Sequence, residues 1–177
     1  MREAVNDQRA GDASRSFEDV YREERRSVVM LAYALSGNAW VAEELAQEAF
    51  LAAHRNWDRI SSFDDPGAWV RRVVANMSAS AFRRRLAEAR ALSRAGARLP
   101  AAAMEVSEES VAFWDAVRAL PRRRRQVVAL HYLEDRPVAE IARILGISPG
   151  TVKKSLHDGR RELARVLALD ESEGEAP

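Results

Sequence analysis

One stretch, residues 137–156, constrains the fold of this chain more than any other. Two segments with apolar residues at helical spacing flank Gly146, and glycine permits the positive φ angle of a tight turn between helices. Ser148 is placed to cap the second segment, and Pro149 suits its first helical position. The apolar positions that would close a shared core are Ile141, Leu145, Ile147, Val152 and Leu156. The stretch therefore predicts a helix-turn-helix.

The second helix of this motif has a polar and basic outer face. A basic helix of this kind fits the major groove of DNA, where side chains reach base edges and phosphates. The candidate DNA contacts on this face are Ser148, Thr151, Lys153, Lys154, His157, Arg160 and Arg161. Four arginines at residues 122–125 begin an earlier helix. Positive charges at a helix N-terminus oppose the helix dipole, and a nearby polyanion would relieve that cost. The alternative is a helical hairpin with a solvated charged face, but the combination favours DNA binding.

Helical periodicity continues along the chain and predicts an all-α fold of two small domains. In the first, Ser16 and Asn38 are placed to cap helices, Gly37 to end one, and Asp65-Pro66 to begin a third. We predict a disordered arm at residues 1–16, a first domain at 17–86 and a flexible linker at 87–109. A second domain at 110–167 and a disordered acidic tail at 168–177 follow.

Composition excludes several classes of protein. The 177 residues include no cysteine, which excludes disulfides, a thiolate nucleophile and cysteine-ligated zinc. No apolar run approaches the ~20 residues of a membrane span, and residues 1–15 have no apolar stretch typical of a secretory signal. We expect a cytoplasmic protein without membrane contact, cofactor or metal.

Charge is unevenly distributed although the net charge is only +1. Acids outnumber bases over residues 17–60, whereas bases dominate residues 61–99 and 118–165. Clustered bases in a nearly neutral chain predict local contacts with a polyanion. The acidic stretch predicts a different kind of partner.

Three segments together resemble a known family. Residues 42–50, AEELAQEAF, resemble the polymerase-binding segment of sigma region 2, and residues 69–85, WVRRVVANMSASAFRRR, resemble its −10 recognition segment. The helix-turn-helix, preceded by Ala-Leu-Pro at 119–121, is similar to sigma region 4, which reads the −35 element. Their order and spacing match the extracytoplasmic-function sigma factors, the smallest members of the sigma-70 family, over residues 17–167.

The resemblance implies a sigma factor that binds core RNA polymerase and directs initiation at promoter DNA, without catalytic residues. The implied polymerase contacts are Glu43, Glu44, Gln47 and Glu48. The implied −10 contacts are Arg71, Arg72, Asn76, Ser80, Arg83 and Arg84. The −35 contacts are those of the helix-turn-helix, and the family leaves open an anti-sigma factor as a further partner. Trp69 is assigned to the core by its spacing with Val73.

The chain departs from the family pattern at three places, which leaves the promoter sequence open. Many members have Asp where this chain has Ser80, and a small residue followed by Arg where it has Lys154-Ser155. They often have Arg-Ala where this chain has Asp158-Gly159. Gly159 is also expected to weaken the recognition helix by up to ~1 kcal/mol relative to alanine.

Two other functions compete with this interpretation. A stand-alone helix-turn-helix regulator would explain the second domain but would leave the two segments of the first without a purpose. An enzyme is disfavoured because His54, His131 and His157 are far apart in sequence and no nucleophile elbow or phosphate loop occurs. A metal site at Glu44 and Glu48 would lack the usual Glu-x-x-His pair.

Overall fold

The computed structural model describes the backbone of residues 15–78 and 108–173, and the side chains of residues 15–78 and 110–167. Every regular element within these ranges is a helix, so the all-α prediction is confirmed for them. Most of the predicted arm and linker and the end of the tail lie outside the described residues, as do Ser80, Arg83 and Arg84. No described helix is long and apolar enough to cross a membrane.

The first helix begins and ends where the sequence predicts, and the second begins where the sequence predicts. Helix α1 spans Phe17–Ser36, with the Ser16 hydroxyl accepting from the Asp19 N–H at 3.1 Å. Gly37 ends it in the left-handed conformation, at φ +70°. Helix α2 spans Ala39–Arg55, and the side chain of its cap Asn38 accepts from the Val41 N–H.

Two further helices belong to the described part of the first unit. A single turn, α3, spans Trp57–Ile60. The apolar spacing predicts one helix over about residues 39–57, whereas α2 ends before Asn56. Helix α4 runs from residue 66 to the end of the described range at residue 78. The Asp65 carboxylate accepts from the Ala68 N–H at 2.9 Å, which confirms the predicted restart at Asp65-Pro66.

The second unit consists of four helices. Helices α5 and α6 span Glu108–Ala119 and Arg122–Tyr132 and meet at Pro121. Helices α7 and α8 span Val138–Leu145 and Pro149–Glu173. Helix α8 continues past the domain end predicted at residue 167, because neither glycine nor proline occurs between there and residue 174.

The two units pack against one another instead of standing apart. A single apolar core contains Leu31, Leu35 and Phe50 from the first unit together with Leu130 and Ile141 from the second. A smaller cluster of Val117, Leu120, Val128 and Leu163 lies under α5 and α8. Sequence periodicity predicted the buried face of each helix but not the contact between units.

Gly159 has a packing role that its helix propensity conceals. A methyl group built at this position would lie 2.9 Å from Cγ2 of Val128, closer than side-chain carbons approach. Glycine therefore lets α8 lie tightly against α6. The weakening of the helix expected from the low helix propensity of glycine does not include this contact. The contact with Val128 favours glycine over alanine.

Candidate nucleic-acid and polymerase interfaces

The predicted helix-turn-helix is present between α7 and α8. Gly146 adopts φ +63°, and its N–H bonds to carbonyls of the last turn of α7. The Ser148 hydroxyl accepts from the Thr151 N–H at 3.1 Å and caps α8. The five apolar side chains predicted to close the motif are buried or packed against the core. The inner side of α8 is therefore fixed by packing.

The outer face of α8 brings together all seven −35 candidates. Each of them is exposed: Ser148, Thr151, Lys153, Lys154, His157, Arg160 and Arg161. The opposite face is buried, including Val152, Leu156 and Leu163. The seven side chains therefore form one continuous surface, hereafter the α8 face.

The two flanks of the α8 face differ in their charge. On one flank Asp158 lies 3.5 Å from Lys154 Nζ and 3.5 Å from Arg124 Nη2, so an acid partly offsets the bases. On the other flank Arg160 contacts the aromatic side chains of Tyr132 and His131. The first flank therefore includes a carboxylate, whereas the second is bounded by aromatic side chains.

The four arginines at residues 122–125 have acceptors within the protein. Arg125 is buried and donates to the Arg118 carbonyl at 2.8 Å. Burial lowers the pKa of Arg125, and the neighbouring cations Arg118 and Arg122 act in the same direction. Arg124 donates to Glu162 at 2.8 Å. Acceptors within the protein therefore offset part of the cost of placing these cations at the start of α6.

Arg71, a −10 candidate, is one of the most deeply buried side chains of the described chain. The whole residue is 1% exposed, and its guanidinium donates to Glu24 and to Glu134, each at 2.5 Å. Burial alone would lower the pKa of Arg71, but the two carboxylates outweigh it and the pKa is raised. In this arrangement Arg71 holds the two units together and does not face solvent.

The other described −10 candidates lie beside the second unit. Asn76 is exposed, and its Oδ1 accepts from Arg122 Nη2 at 2.9 Å. Arg72 is exposed and its guanidinium lies against Gly146. Arg72 also lines a cleft of about 390 Å³ between the units, together with Trp69 and Arg143. Sequence patterns carry no signal for these contacts, because they join residues far apart in the chain.

Three of the four polymerase candidates form an exposed strip along α2. Glu44, Gln47 and Glu48 are exposed, whereas Glu43 is partly buried and pairs with Arg25 of α1 at 3.1 Å. Trp40 and Leu51 lie at the ends of the same strip and are 73% and 54% exposed. Sequence reasoning missed these two apolar residues, although their spacing from the glutamates places them on one helix face. We call residues 40, 44, 47, 48 and 51 the α2 face.

Two features weighed from the sequence, a metal site and the three histidines, can be located in the described residues. Within the described residues, no group of three or more His, Asp or Glu side chains is placed to hold a metal ion. The three histidines lie on separate helices, and His54 packs edge-on against the Phe17 ring at 4.9 Å.

Comparison with known proteins matches both units. Residues 20–87 match the family described as Sigma-70 region 2, and residues 110–163 match Sigma-70, region 4. The chain is 29% identical to the ECF RNA polymerase sigma factor SigW of Bacillus subtilis (strain 168), covering 88% of this chain and 89% of that protein. It is 30% identical to the ECF RNA polymerase sigma factor SigM of Mycobacterium tuberculosis (strain H37Rv), covering 89% and 80%.

A solved structure has the same fold. The sigma factor RpoE of Bartonella quintana, crystallised with the anti-sigma factor NepR, superposes with a TM-score of 0.68 at 22% identity. The match covers 87% of this chain and 98% of that chain. The arrangement of helices is therefore shared by both proteins.

Proposed function

We propose a promoter-recognition function for this chain because it belongs to the extracytoplasmic-function sigma factors of the sigma-70 family. It binds core RNA polymerase and brings it to promoters by contacting their −10 and −35 elements. Polymerase makes the phosphodiester bonds, so the chain contributes binding and no chemistry of its own. Its place of action is the cytoplasm, where polymerase and chromosome meet.

The observation that carries this proposal is the α8 face. Its seven polar and basic side chains are all exposed on a helix whose other side is packed into the core. A capped helix of this kind enters the major groove with its N-terminal half deepest. The α8 face therefore reads the −35 element.

The α2 face supplies the second contact. Glutamates at its centre complement a basic partner, and Trp40 and Leu51 add apolar area at its ends. In the family this segment docks on the coiled coil of the largest polymerase subunit. We assign the same partner here.

Contact with the −10 strand requires a change in the relation between the units. Asn76 and Arg72 face the second unit, and Arg71 is paired with Glu134 across the same boundary. We propose that polymerase binding separates the units, and that Arg72, Asn76, Ser80, Arg83 and Arg84 then meet the melted strand. An anti-sigma factor is a further proposed partner, since the fold is shared with a sigma factor crystallised with one.

Reconstitution tests this function. The full chain is mixed with core polymerase and a duplex library randomised over the −35 and −10 regions, and bound duplexes are sequenced. A sigma factor should co-migrate with polymerase and enrich paired elements at a fixed spacing, whereas core alone should not. A stand-alone regulator would enrich a single element without polymerase, and that result would contradict the proposal.

A further inference from the structure

The guanidinium of Arg160 is held on the α8 face by two side chains at the end of α6. Its Nε donates to the Tyr132 hydroxyl at 2.7 Å, and its Nη2 lies 3.3 Å from Nε2 of His131. The guanidinium carbon also lies 5.8 Å from the centre of the Tyr132 ring. These contacts restrict a long side chain that would otherwise sample many rotamers.

His131 acts as a neutral acceptor in this cluster. Its Nδ1 lies 3.1 Å from the carbonyl oxygen of Arg136, which can only accept, so Nδ1 carries the ring proton. Nε2 then carries the lone pair that accepts a hydrogen bond from Arg160. The loop after α6 thereby selects the imidazole tautomer that supports the guanidinium.

The positive charge of Arg160 is not paired with a carboxylate of the described residues, in contrast to the charge of Arg71. Arg71 is held by Glu24 and Glu134, both negatively charged. Among the described residues no carboxylate pairs with Arg160, and both of its acceptors are uncharged. An exposed cation held in place by neutral groups is preorganised to bind an anion.

We propose that Tyr132 and His131 are positioning residues that orient Arg160 toward a phosphate of the duplex DNA bound by α8. The proposal rests on the proposed function and adds two residues from outside the recognition helix. Arg160 follows Lys153 and His157 at helical spacing on one stripe of α8. A phosphate bound there would set the register in which those two side chains meet base edges.

The test is a double-mutant cycle on the full-length chain bound to core polymerase. The probe is a promoter duplex that the wild-type complex selects from a pool randomised at the −35 element. Tyr132→Phe keeps the ring and removes only the hydroxyl, so it should weaken duplex binding about three- to tenfold. Arg160→Ala should weaken it more and lower the slope of log affinity against log salt by about 1.

The decisive result is whether the effect of the Tyr132 and His131 variants on duplex affinity depends on Arg160. In the Arg160→Ala background, Tyr132→Phe should cause no further loss, and His131→Phe, which removes the Nε2 acceptor, should behave in the same way. Arg161→Ala is the matched control, since this arginine is exposed on the other flank of α8 beside Asp158. In that background the loss caused by Tyr132→Phe should persist in full.

Independent losses in the Arg160→Ala background would overturn the positioning role, as would an unchanged affinity of the Tyr132→Phe complex. If the wild-type complex selects no duplex from the pool, the proposed function itself is contradicted, and the inference with it. The two failures are therefore distinguishable.

Discussion

Arg71 in α4 and Glu134 in the loop after α6 form an ion pair, with 2.5 Å between Nε and Oε2, that joins the two helical units. Their side chains are 2% and 4% exposed. Glu24 of α1 supplies a second carboxylate to the same guanidinium. Withdrawing charges from water is costly, and close pairing offsets that cost only while the units stay packed. The pair therefore couples the position of the second unit to the stability of the first.

Replacing Glu134 with alanine should destabilise the free protein. The variant leaves Arg71 buried with one carboxylate instead of two, and removing one partner of a buried pair costs about 3 kcal/mol at the lower end of the usual range. Urea denaturation of the free chain measures this loss. Glu140→Ala is the control, because its pair with Arg136 is partly exposed and should contribute less than about 1 kcal/mol. Equal stability of the two variants would count against a structural role for the buried pair.

Reversing the charge of the α2 face should abolish polymerase binding without unfolding the chain. Glu44→Lys with Glu48→Lys places two bases where we propose a basic partner docks, and both positions are exposed. Co-purification with core polymerase should be lost while the helical circular dichroism is retained. Asp58→Lys, an exposed reversal on α3, should leave binding intact. Retained binding by the double variant would exclude this face.

Asn76→Ala should impair strand opening more than duplex binding. We expect Asn76 to select a base in the melted −10 strand, so formation of the open complex should fall further than affinity for double-stranded fragments. Permanganate footprinting and duplex binding measure the two quantities. Because Asn76 also accepts from Arg122, Arg122→Ala removes the same contact between the units and serves as the control. Matching effects of the two variants would point to unit packing instead of base selection.

Lys154→Ala and Arg161→Ala should separate reading from anchoring on the α8 face. Lys154 lies in the N-terminal half of α8. We propose that this half enters the groove deepest, so loss of Lys154 should change the preferred −35 sequence. Discrimination by a good base contact is about 1–3 kcal/mol. Arg161→Ala should weaken all sequences alike and lower the salt slope by about 1. Selection on randomised −35 sites checks both, and an unchanged preference after Lys154→Ala would refute its assignment as a reader.

Local features of the chain were predictable because their causes lie within a few residues. Ser16, Asn38, Asp65 and Ser148 each accept a backbone N–H three positions later, and Gly146 adopts the positive φ that the turn requires. Apolar spacing likewise placed the outer and inner faces of α8, since helix geometry alone separates them. The amino-acid pattern was therefore sufficient to assign the candidates of the α8 face to one surface.

Tertiary packing decided what the buried charges and close contacts do. Arg71 was indistinguishable in sequence from the exposed Arg72, yet Glu24 and Glu134 converge on it from distant parts of the chain. Gly159 has low helix propensity, but its close approach to Val128 gives it a packing role. Arg160 acquired its support from Tyr132 and His131 on another helix. Sequence alone determined the helices and their faces through local hydrogen bonds and periodicity, whereas partners across the core depend on how the helices dock in three dimensions.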